Sequence, residues 1–138
     1  MASDKASFLI PFSKIGLIPD TGASWHLPRA IGQARAMGLA LTARKLTAQQ
    51  AADWGLIWET VADAAFDSHV VALANQLAVM PTRALVETRA AIKSAGDRSL
   101  ADHLSFEAEM MTRLGRSDDY IEGVAAFLEK RQPHFKGL

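Results

Sequence analysis

The sequence predicts a mostly helical chain with two short strands in its first half. Apolar residues make up 49% of the 138 positions, and a domain of this length buries about two-thirds of its unfolded surface, so the chain can form a core. Through most of the chain these residues recur at spacings of three and four, the period of one face of an α-helix. Two segments instead combine apolar, aromatic and β-branched residues in short runs, which favours strands.

The first predicted strand is Phe8–Phe12, where Pro11 interrupts the hydrogen bonding. The segment Gly16–Trp25 is rich in turn-forming residues, which predicts a loop that leads into a helix. We expect that helix to run from about Thr21 to Ala30 and to stop near Gly32.

The next elements are a second helix, a short capped helix and the second strand. Ala34–Thr42 is rich in residues that favour helix. The pattern of Thr47–Gln50 is a capping box, which predicts a short helix ending at Gly55. The strand predicted after it is Leu56–Val61. Because two strands so far apart do not make a self-sufficient sheet, we expect further chain to supply their neighbours.

Four helices are predicted for the rest of the chain, and specific residues mark where they begin. Pro81 restarts the chain, Ser99 and Asp102 form a capping-box pattern, and Ser117 caps a last helix with acidic residues in its first turn. The predicted inward faces are Phe66, Val70, Leu73 and Leu77; Leu85, Thr88, Ile92 and Ala95; Leu100, Leu104, Ala108 and Met111; and Ile121, Val124, Ala125 and Leu128.

Composition excludes several classes of protein. Lys and Arg number fifteen, as do Asp and Glu, so the formal net charge is zero and the basic excess of a nucleic-acid-binding protein is missing. Cysteine is absent, which excludes disulfides, cysteine-ligated zinc and thiol catalysis and suits a reducing cytoplasm. Apolar runs fall short of the roughly 18 residues of a membrane span, and no secretory signal is recognisable. We therefore expect a cytoplasmic protein without nucleic-acid or membrane partners.

Asp20 is the carboxylate with the most informative surroundings, since it lies between a proline and a glycine where a loop meets a helix. It can be an N-cap whose oxygen accepts a backbone N–H. It can also be a catalytic acid/base, whose pKa the apolar neighbours Leu17, Ile18 and Trp25 would raise by desolvation. The sequence alone leaves both interpretations open.

Other candidate sites carry less chemistry. His103 and Glu107 lie one helical turn apart, but two ligands do not make a metal site, and a surface contact accounts for the pair. No phosphate-binding glycine-rich motif occurs. The basic and aromatic tail Phe127–Lys136 either complements the dipole of the last helix or grips an anionic ligand that carries adenine.

Three further segments of the chain are informative together: Gly16–Gly32, Leu46–Ile57 and Glu122–Arg131. In this order and with this spacing they resemble the enoyl-CoA hydratase/isomerase (crotonase) superfamily. The resemblance implies an α/β crotonase-like (ClpP/crotonase) fold, of which this chain is the mostly helical carboxy-terminal part. Residues 1–65 would be the end of the crotonase core, and residues 66–138 a helical trimerisation region in a trimer or dimer of trimers.

The resemblance also implies roles for individual residues near the loop. Asp20 falls where acyl-CoA isomerases of this group and aryl-CoA dehalogenases place a catalytic aspartate. Phe12 falls where hydratases carry the glutamate that delivers a proton from water, so an isomerase is expected and an enoyl-CoA hydratase is the alternative. Phe12, Ile18 and Trp25 would line the acyl pocket.

The substrate implied by the resemblance is an acyl-CoA thioester, without a metal or a cofactor other than the coenzyme A of the substrate. Phe127 and Lys130 match positions that help to hold coenzyme A across a subunit boundary. Both backbone donors of the family's oxyanion hole lie upstream of the region seen here, so we expect the chain to be inactive alone. A non-catalytic helical oligomerisation module, with Trp25, Trp54 and Phe66 as interface anchors, is the other alternative.

Overall fold

The structure is a computed structural model that describes residues 1–137. It divides into two compact units, Met1–Val70 and a second that begins at Val71. The functional division at residue 65 into core and trimerisation region stays a prediction. The strands and helices are β1 (Ala2–Ser3), β2 (Ser7–Phe8), α1 (Ala23–Ile31), α2 (Gln33–Thr42), β3 (Leu46–Thr47), α3 (Ala48–Asp53), β4 (Thr60–Val61), α4 (Phe66–Ala78), α5 (Thr82–Ser94), α6 (Leu100–Leu114) and α7 (Asp118–Glu129).

The amino-terminal unit contains two small ladders. Strand β1 pairs in parallel with β4, and β2 pairs antiparallel with β3, which places Phe8 opposite Leu46. Each predicted strand therefore finds a partner within the chain, and the expectation that only further chain could supply one is wrong for these two pairs. Neither β1 nor β3 was predicted, because a strand of two residues is too short to create a pattern in the sequence.

The predicted strand Phe8–Phe12 is wrong after Phe8. Residues Phe12–Ile15 form a 3₁₀ turn that follows Pro11, which has no backbone N–H for a ladder. The N–H of Leu17 donates to the Phe12 carbonyl at 3.0 Å and closes this turn.

The predicted strand Leu56–Val61 is correct only for its last two residues. The N–H groups of Leu56 and Ile57 donate to the Ala51 carbonyl at 2.8 and 3.3 Å, so they finish the turn at the end of α3. Their apolar side chains pack against the core from this turn, which explains the apolar run without a strand.

The capping box that precedes α3 is confirmed. The hydroxyl of Thr47 accepts from the N–H of Gln50 at 3.2 Å, and the side chain of Gln50 accepts from the N–H of Thr47 at 3.1 Å. This cap fixes the chain beside the core, whose buried residues are Leu27, Ile31, Ala36, Leu39, Leu46 and Ala51. Leu46, directly before the cap, is fully buried, so both this side chain and the capping box hold the start of α3 in place.

The starts of α6 and α7 are also as predicted. The hydroxyls of Ser99 and Ser117 accept from the N–H groups of Asp102 and Tyr120, each at 3.2 Å. The Ser99 pattern is not a complete capping box, because the Asp102 carboxylate accepts from the Ser99 hydroxyl at 2.6 Å instead of from its backbone N–H. No helix within residues 1–137 is both long enough and apolar enough to cross a membrane.

The predicted inward faces of α6 and α7 are wrong for this chain. Leu100 and Met111 of α6 are 75% and 71% exposed, whereas its half-buried face carries Phe106 and Met110. On α7, Ile121 and Leu128 are exposed as well. Helical periodicity identifies apolar faces but does not identify which element covers them, and the covered face of α7 carries Asp119 and Ala126.

This face of α7 is covered by the carboxy-terminal tail, which we define as Arg131–Gly137. The buried Asp119 carboxylate accepts from the N–H groups of Lys136 and Gly137 at 2.7 and 2.9 Å. One turn further along α7, Glu122 accepts from the Arg131 guanidinium at 2.6 and 2.8 Å. These contacts fold the tail back along the helix.

The ion pair of Glu122 makes stability in acid a testable property of the tail. Hydrogen bonds from the Arg131 side chain and the His134 N–H lower the pKa of Glu122 from 4.5 to about 2. Because the pKa is lower in the folded state, the pair stabilises the fold above about pH 4.5 and loses this effect as pH falls towards 2. We expect the difference in unfolding free energy between the unaltered chain and Glu122→Gln to shrink across this range in urea titrations. A constant difference would contradict the assignment.

Candidate functional site

Asp20 lies at the start of a tight turn that leads into α1. Its carbonyl accepts from the N–H of Ala23 at 2.8 Å, and the two residues between them, Thr21 and Gly22, have φ values of 49° and 81°. Positive φ at Thr21 is strained because threonine is β-branched. Such strain persists only where the surroundings impose it, and it occurs preferentially at functional sites.

The interpretation of Asp20 as a helix cap is wrong. The N-cap of α1 is Gly22, and no side chain accepts a hydrogen bond there. Within residues 1–137 the Asp20 carboxylate takes part in no hydrogen bond or ion pair, and the residue is exposed. The structure therefore holds this carboxylate in a defined turn without giving it a stabilising contact.

Gly22 fixes the backbone of this turn, and its replacement tests how much the turn depends on glycine. Alanine at position 22 would keep a φ of 81° and place its Cβ 3.2 Å from Cδ2 of His26, so we expect Gly22→Ala to cost about 1–2 kcal/mol. The matched control is Gly38→Ala in α2, where a Cβ meets nothing within 4 Å. That change should stabilise by up to about 1 kcal/mol through helix propensity. Urea unfolding should give changes of opposite sign in the unfolding free energy of the two variants, and equal changes would contradict the need for glycine at position 22.

The apolar side chains near Asp20 do not enclose it. Leu17, Ile18 and Trp25 are 59%, 81% and 56% exposed, so the expected burial of the carboxylate among them is wrong for the described chain. They stand on a loop and on the first turn of α1, and no described element of the amino-terminal unit covers them. One face of Trp25 is occupied by Arg29, whose guanidinium carbon lies 3.2 Å from the ring centroid.

The three predicted pocket residues are not gathered into one cleft. Phe12 is half-buried at the start of the 3₁₀ turn, while Ile18 and Trp25 are exposed. A cleft of 540 Å³ lies between α1 and α2, and none of the three lines it. Its lining includes Pro19, Ala23, Ser24, Leu27, Met37 and Leu41. The acyl-pocket assignment of the three residues stays a prediction.

The second predicted pair, Phe127 and Lys130, lies where α7 ends. Phe127 is 81% exposed and lines an apolar cleft of 740 Å³ within the carboxy-terminal unit. Lys130 has a φ of 55°, and the N–H of Arg131 donates to the Ala126 carbonyl at 3.0 Å, which closes the helix with a Schellman-type cap. A lysine occupies the position where such a cap usually has glycine.

No metal site is evident in the described part of the chain. His103 Nε2 lies 3.4 Å from Glu107 Oε1 on α6, as expected for a contact between helical neighbours. No cluster of three or more His, Cys, Asp or Glu side chains with the arrangement of a metal site occurs within residues 1–137.

Sequence reasoning assigns no role to Arg29 or Glu122, and it gives Asp119 only a favourable interaction with the dipole of α7. Arg29 follows Trp25 by four residues, a helical spacing that predicts contact between the side chains. Asp119 and Glu122 are three residues apart and so share one helix face, which is followed by a tail with many available N–H groups. The spacing was a signal, but it does not reveal that the tail reverses direction.

Comparison with known proteins shows which family the chain belongs to. The family model for enoyl-CoA hydratase/isomerase matches residues 1–138. The chain belongs to this family. The 1,2-epoxyphenylacetyl-CoA isomerase of Escherichia coli K12 is 47% identical over 137 residues, which are 99% of this chain and 52% of that protein. A Rhodobacter capsulatus protein named "Probable enoyl-CoA hydratase" is also 47% identical, with 99% and 53% covered.

The family's solved structures match this chain in fold. The crystal structure of an enoyl-CoA hydratase from Bacillus anthracis superimposes with a TM-score of 0.93 at 29% identity, and the match covers 99% of this chain and 53% of that one. The crotonase-like fold predicted from the sequence motifs is therefore confirmed. The chain spans about half the length of the relatives it matches.

Proposed function

We propose that this chain supplies the acid/base carboxylate of an acyl-CoA isomerase similar to 1,2-epoxyphenylacetyl-CoA isomerase, and that this carboxylate belongs to Asp20. The observation that carries the proposal is the Asp20 side chain itself. It is exposed and unpartnered within residues 1–137, and it precedes a strained turn at Thr21. A carboxylate without a structural contact is free to exchange a proton with a bound substrate.

The chemistry requires one carboxylate close to a thioester. Asp20 removes a proton from the carbon next to the thioester carbonyl, and the electron pair of that C–H bond moves onto the carbonyl oxygen to form an enolate. The enolate collapses, the double bond shifts, and the Asp20 carboxylic acid returns the proton to a different carbon. In a ring epoxide the same acid can instead protonate the opening oxygen. The enolate needs oxyanion donors, which would come from the upstream portion of a family subunit.

Phe127 and Lys130 are the proposed contacts to coenzyme A. The exposed ring of Phe127 offers area for the adenine, and Lys130 forms no ion pair within residues 1–137 and so remains available to phosphate. Because the net charge of the chain is zero, attraction for the anionic coenzyme depends on this local cation. The proposed setting is the reducing cytoplasm, which suits a chain without cysteine.

Phe12 provides the test that separates an isomerase from a hydratase. The assay uses a hybrid enzyme in which this chain follows the amino-terminal portion of the E. coli isomerase. We expect the hybrid to isomerise 1,2-epoxyphenylacetyl-CoA and to hydrate a 2-enoyl-CoA poorly, because Phe12 has no proton to deliver. Phe12→Glu should raise the hydration rate on the order of 10²-fold, the usual size of an acid/base contribution.

The matched control is Phe12→Gln, which has nearly the size of glutamate but no acid. It should leave hydration at the level of the unaltered hybrid, as measured by chromatography of the CoA products. Fast hydration by the unaltered hybrid, with little isomerisation, would favour the hydratase alternative instead.

A second function, assembly of subunits, is favoured by the exposed apolar residues of the carboxy-terminal unit. Helices α4, α5 and α6 contain no buried residue, and their exposed apolar side chains include Val71, Leu77, Val86, Ile92, Leu100, Leu104 and Met111. Apolar surface of this extent is typical of an interface. We propose that it contributes to a homotrimer, alone or as a dimer of trimers. Sedimentation equilibrium of the 138-residue chain should give the mass of a trimer or hexamer. Leu104→Glu should shift the distribution of oligomers towards monomer. A monomeric unaltered chain would contradict the proposal.

A further inference from the structure

The end of α7 combines a strained residue with an extensively bonded tail. Lys130 adopts a left-handed backbone conformation with a φ of 55°, which glycine reaches without strain and lysine does not. Directly after it, the tail turns back along the same helix. A lysine at this position persists only if the surrounding contacts impose the conformation.

Glu122 holds Arg131, the residue that directly follows Lys130. Its two carboxylate oxygens accept from Nη1 and Nη2 of Arg131 at 2.6 and 2.8 Å, which is the bidentate geometry of strong Arg–carboxylate pairs. Oε1 also accepts from the N–H of His134 at 2.7 Å. The Glu122 side chain therefore fixes both Arg131, which directly follows Lys130, and His134 further along the tail.

The rest of the tail is held further along the same face. Asp119 accepts from the N–H groups of Lys136 and Gly137, and the ring of Phe135 lies against Gly123, where a Cβ would approach Cε1 of the ring to 3.4 Å. The tail thus contacts α7 at Asp119, Glu122 and Gly123. Of these three residues, Glu122 is the one that contacts Arg131, directly after the strained Lys130.

Arg131 is not the cation that a ligand would meet. Its guanidinium is shared between Glu122 and Glu129, with Nε 2.6 Å from the Glu129 carboxylate. Lys130 forms no ion pair within residues 1–137. The two carboxylates therefore neutralise Arg131, while the neighbouring Lys130 remains available to an anionic ligand.

We propose that Glu122 is a positioning residue for coenzyme A: by clamping Arg131 and the tail, it holds the backbone of Lys130 in the one conformation that presents this lysine to an anionic phosphate. The inference rests on the proposed function, which assigns the phosphate contact to Lys130. Glu122 touches no substrate atom and acts only through its neighbours. Because Glu122 orders this segment before the ligand binds, the binding free energy does not include the entropy cost of ordering a flexible lysine.

The experiment compares Glu122→Gln with Glu129→Gln in the 138-residue chain, with free coenzyme A as the probe in isothermal titration calorimetry. Both changes remove one negative charge beside Arg131. If charge alone matters, both variants should bind the anion more tightly. If Glu122 positions Lys130, Glu122→Gln should bind about three- to tenfold more weakly, the cost of ordering a flexible side chain, and Glu129→Gln should not.

Backbone ¹⁵N relaxation supplies a second readout on the same samples. We expect the heteronuclear NOE at Lys130 and along the tail to fall in Glu122→Gln and to stay unchanged in Glu129→Gln. Binding by Glu122→Gln that equals or exceeds that of the unaltered chain would overturn the inference. If Glu122→Gln does not fold, Glu122→Asp, which keeps the charge but shortens its reach, is tested with the same expected direction.

Lys130→Gln separates this inference from the proposed function. We expect it to weaken binding of coenzyme A while leaving the NOE values of the tail unchanged. Unaltered binding in Lys130→Gln, or no binding by the unaltered chain, would contradict the coenzyme A contact itself. Weaker binding in Lys130→Gln together with normal binding in Glu122→Gln would overturn only the positioning role.

Discussion

Asp20→Asn should lower the isomerase turnover of the hybrid enzyme by about 10²- to 10⁴-fold, because asparagine cannot accept and return a proton. The side chain keeps its size, and the carboxylate it replaces has no hydrogen bond within residues 1–137. We therefore expect the unfolding free energy and the binding of the CoA ester to change little. The measurement is kcat and KM with 1,2-epoxyphenylacetyl-CoA, and the loss should fall on kcat.

The matched control for this prediction is Asp118→Asn. Asp118 is an exposed aspartate at the first position of α7, and Asp118→Asn removes the same charge as Asp20→Asn. The turnover of the hybrid with Asp118→Asn should stay within about twofold of the turnover of the unaltered hybrid, because surface substitutions remote from the chemistry usually have small effects. Comparable losses in both variants would remove the specific role of Asp20.

The second large effect is expected in stability, for Asp119→Ala. Its carboxylate is buried and accepts from the N–H groups of Lys136 and Gly137, so its removal leaves two backbone donors without their charged partner. Hydrogen bonds to charged groups contribute about 1.5–3 kcal/mol each, and we expect a total loss of about 3 kcal/mol, since part of the tail can rehydrate.

Asp118→Ala again provides the comparison, since both aspartates lie in the first turn of α7. Asp118 is exposed and contributes only its favourable interaction with the helix dipole, about 0.3–1 kcal/mol. Urea unfolding followed by far-ultraviolet circular dichroism should therefore separate the two variants by about 2 kcal/mol. Equal destabilisation would mean that Asp119 acts through the dipole and not through the tail.

Local signals in the sequence were sufficient for most of the helices. The caps at Thr47, Ser99 and Ser117 depend on side chains within three residues of the backbone groups that they satisfy, so sequence spacing predicts them. The strand at Phe8–Phe12 failed because an apolar run does not distinguish a strand from a packed turn, and Pro11 favours the turn.

Contacts between distant parts of the chain were not predictable in the same way. The spacing of Asp119 and Glu122 places them on one face, but only the reversal after Lys130 shows that backbone N–H groups of the tail reach that face. The inward faces of α6 and α7 are predicted wrongly for the same reason. Periodicity finds an apolar face but does not show which element covers it.

For Asp20 the sequence left a cap and a catalytic acid/base as alternatives, and the structure removes the cap because Gly22 occupies that position. The fold family followed from three ordered motifs and is confirmed. The acyl pocket is different: Ile18 and Trp25 are exposed, so the residues that would enclose a substrate with them are not part of the described amino-terminal unit.

Proton transfer by Asp20 can be measured through the exchange of substrate hydrogen with solvent deuterium. The hybrid enzyme is incubated with a CoA thioester in D₂O, and mass spectrometry follows deuterium both at the carbon next to the thioester carbonyl and at the carbon that receives the returned proton. We expect the hybrid with Asp20 to incorporate deuterium at a rate at least comparable to turnover, and Asp20→Asn to incorporate it at only the uncatalysed rate. Equal incorporation by both proteins would contradict the assignment of Asp20 as the acid/base.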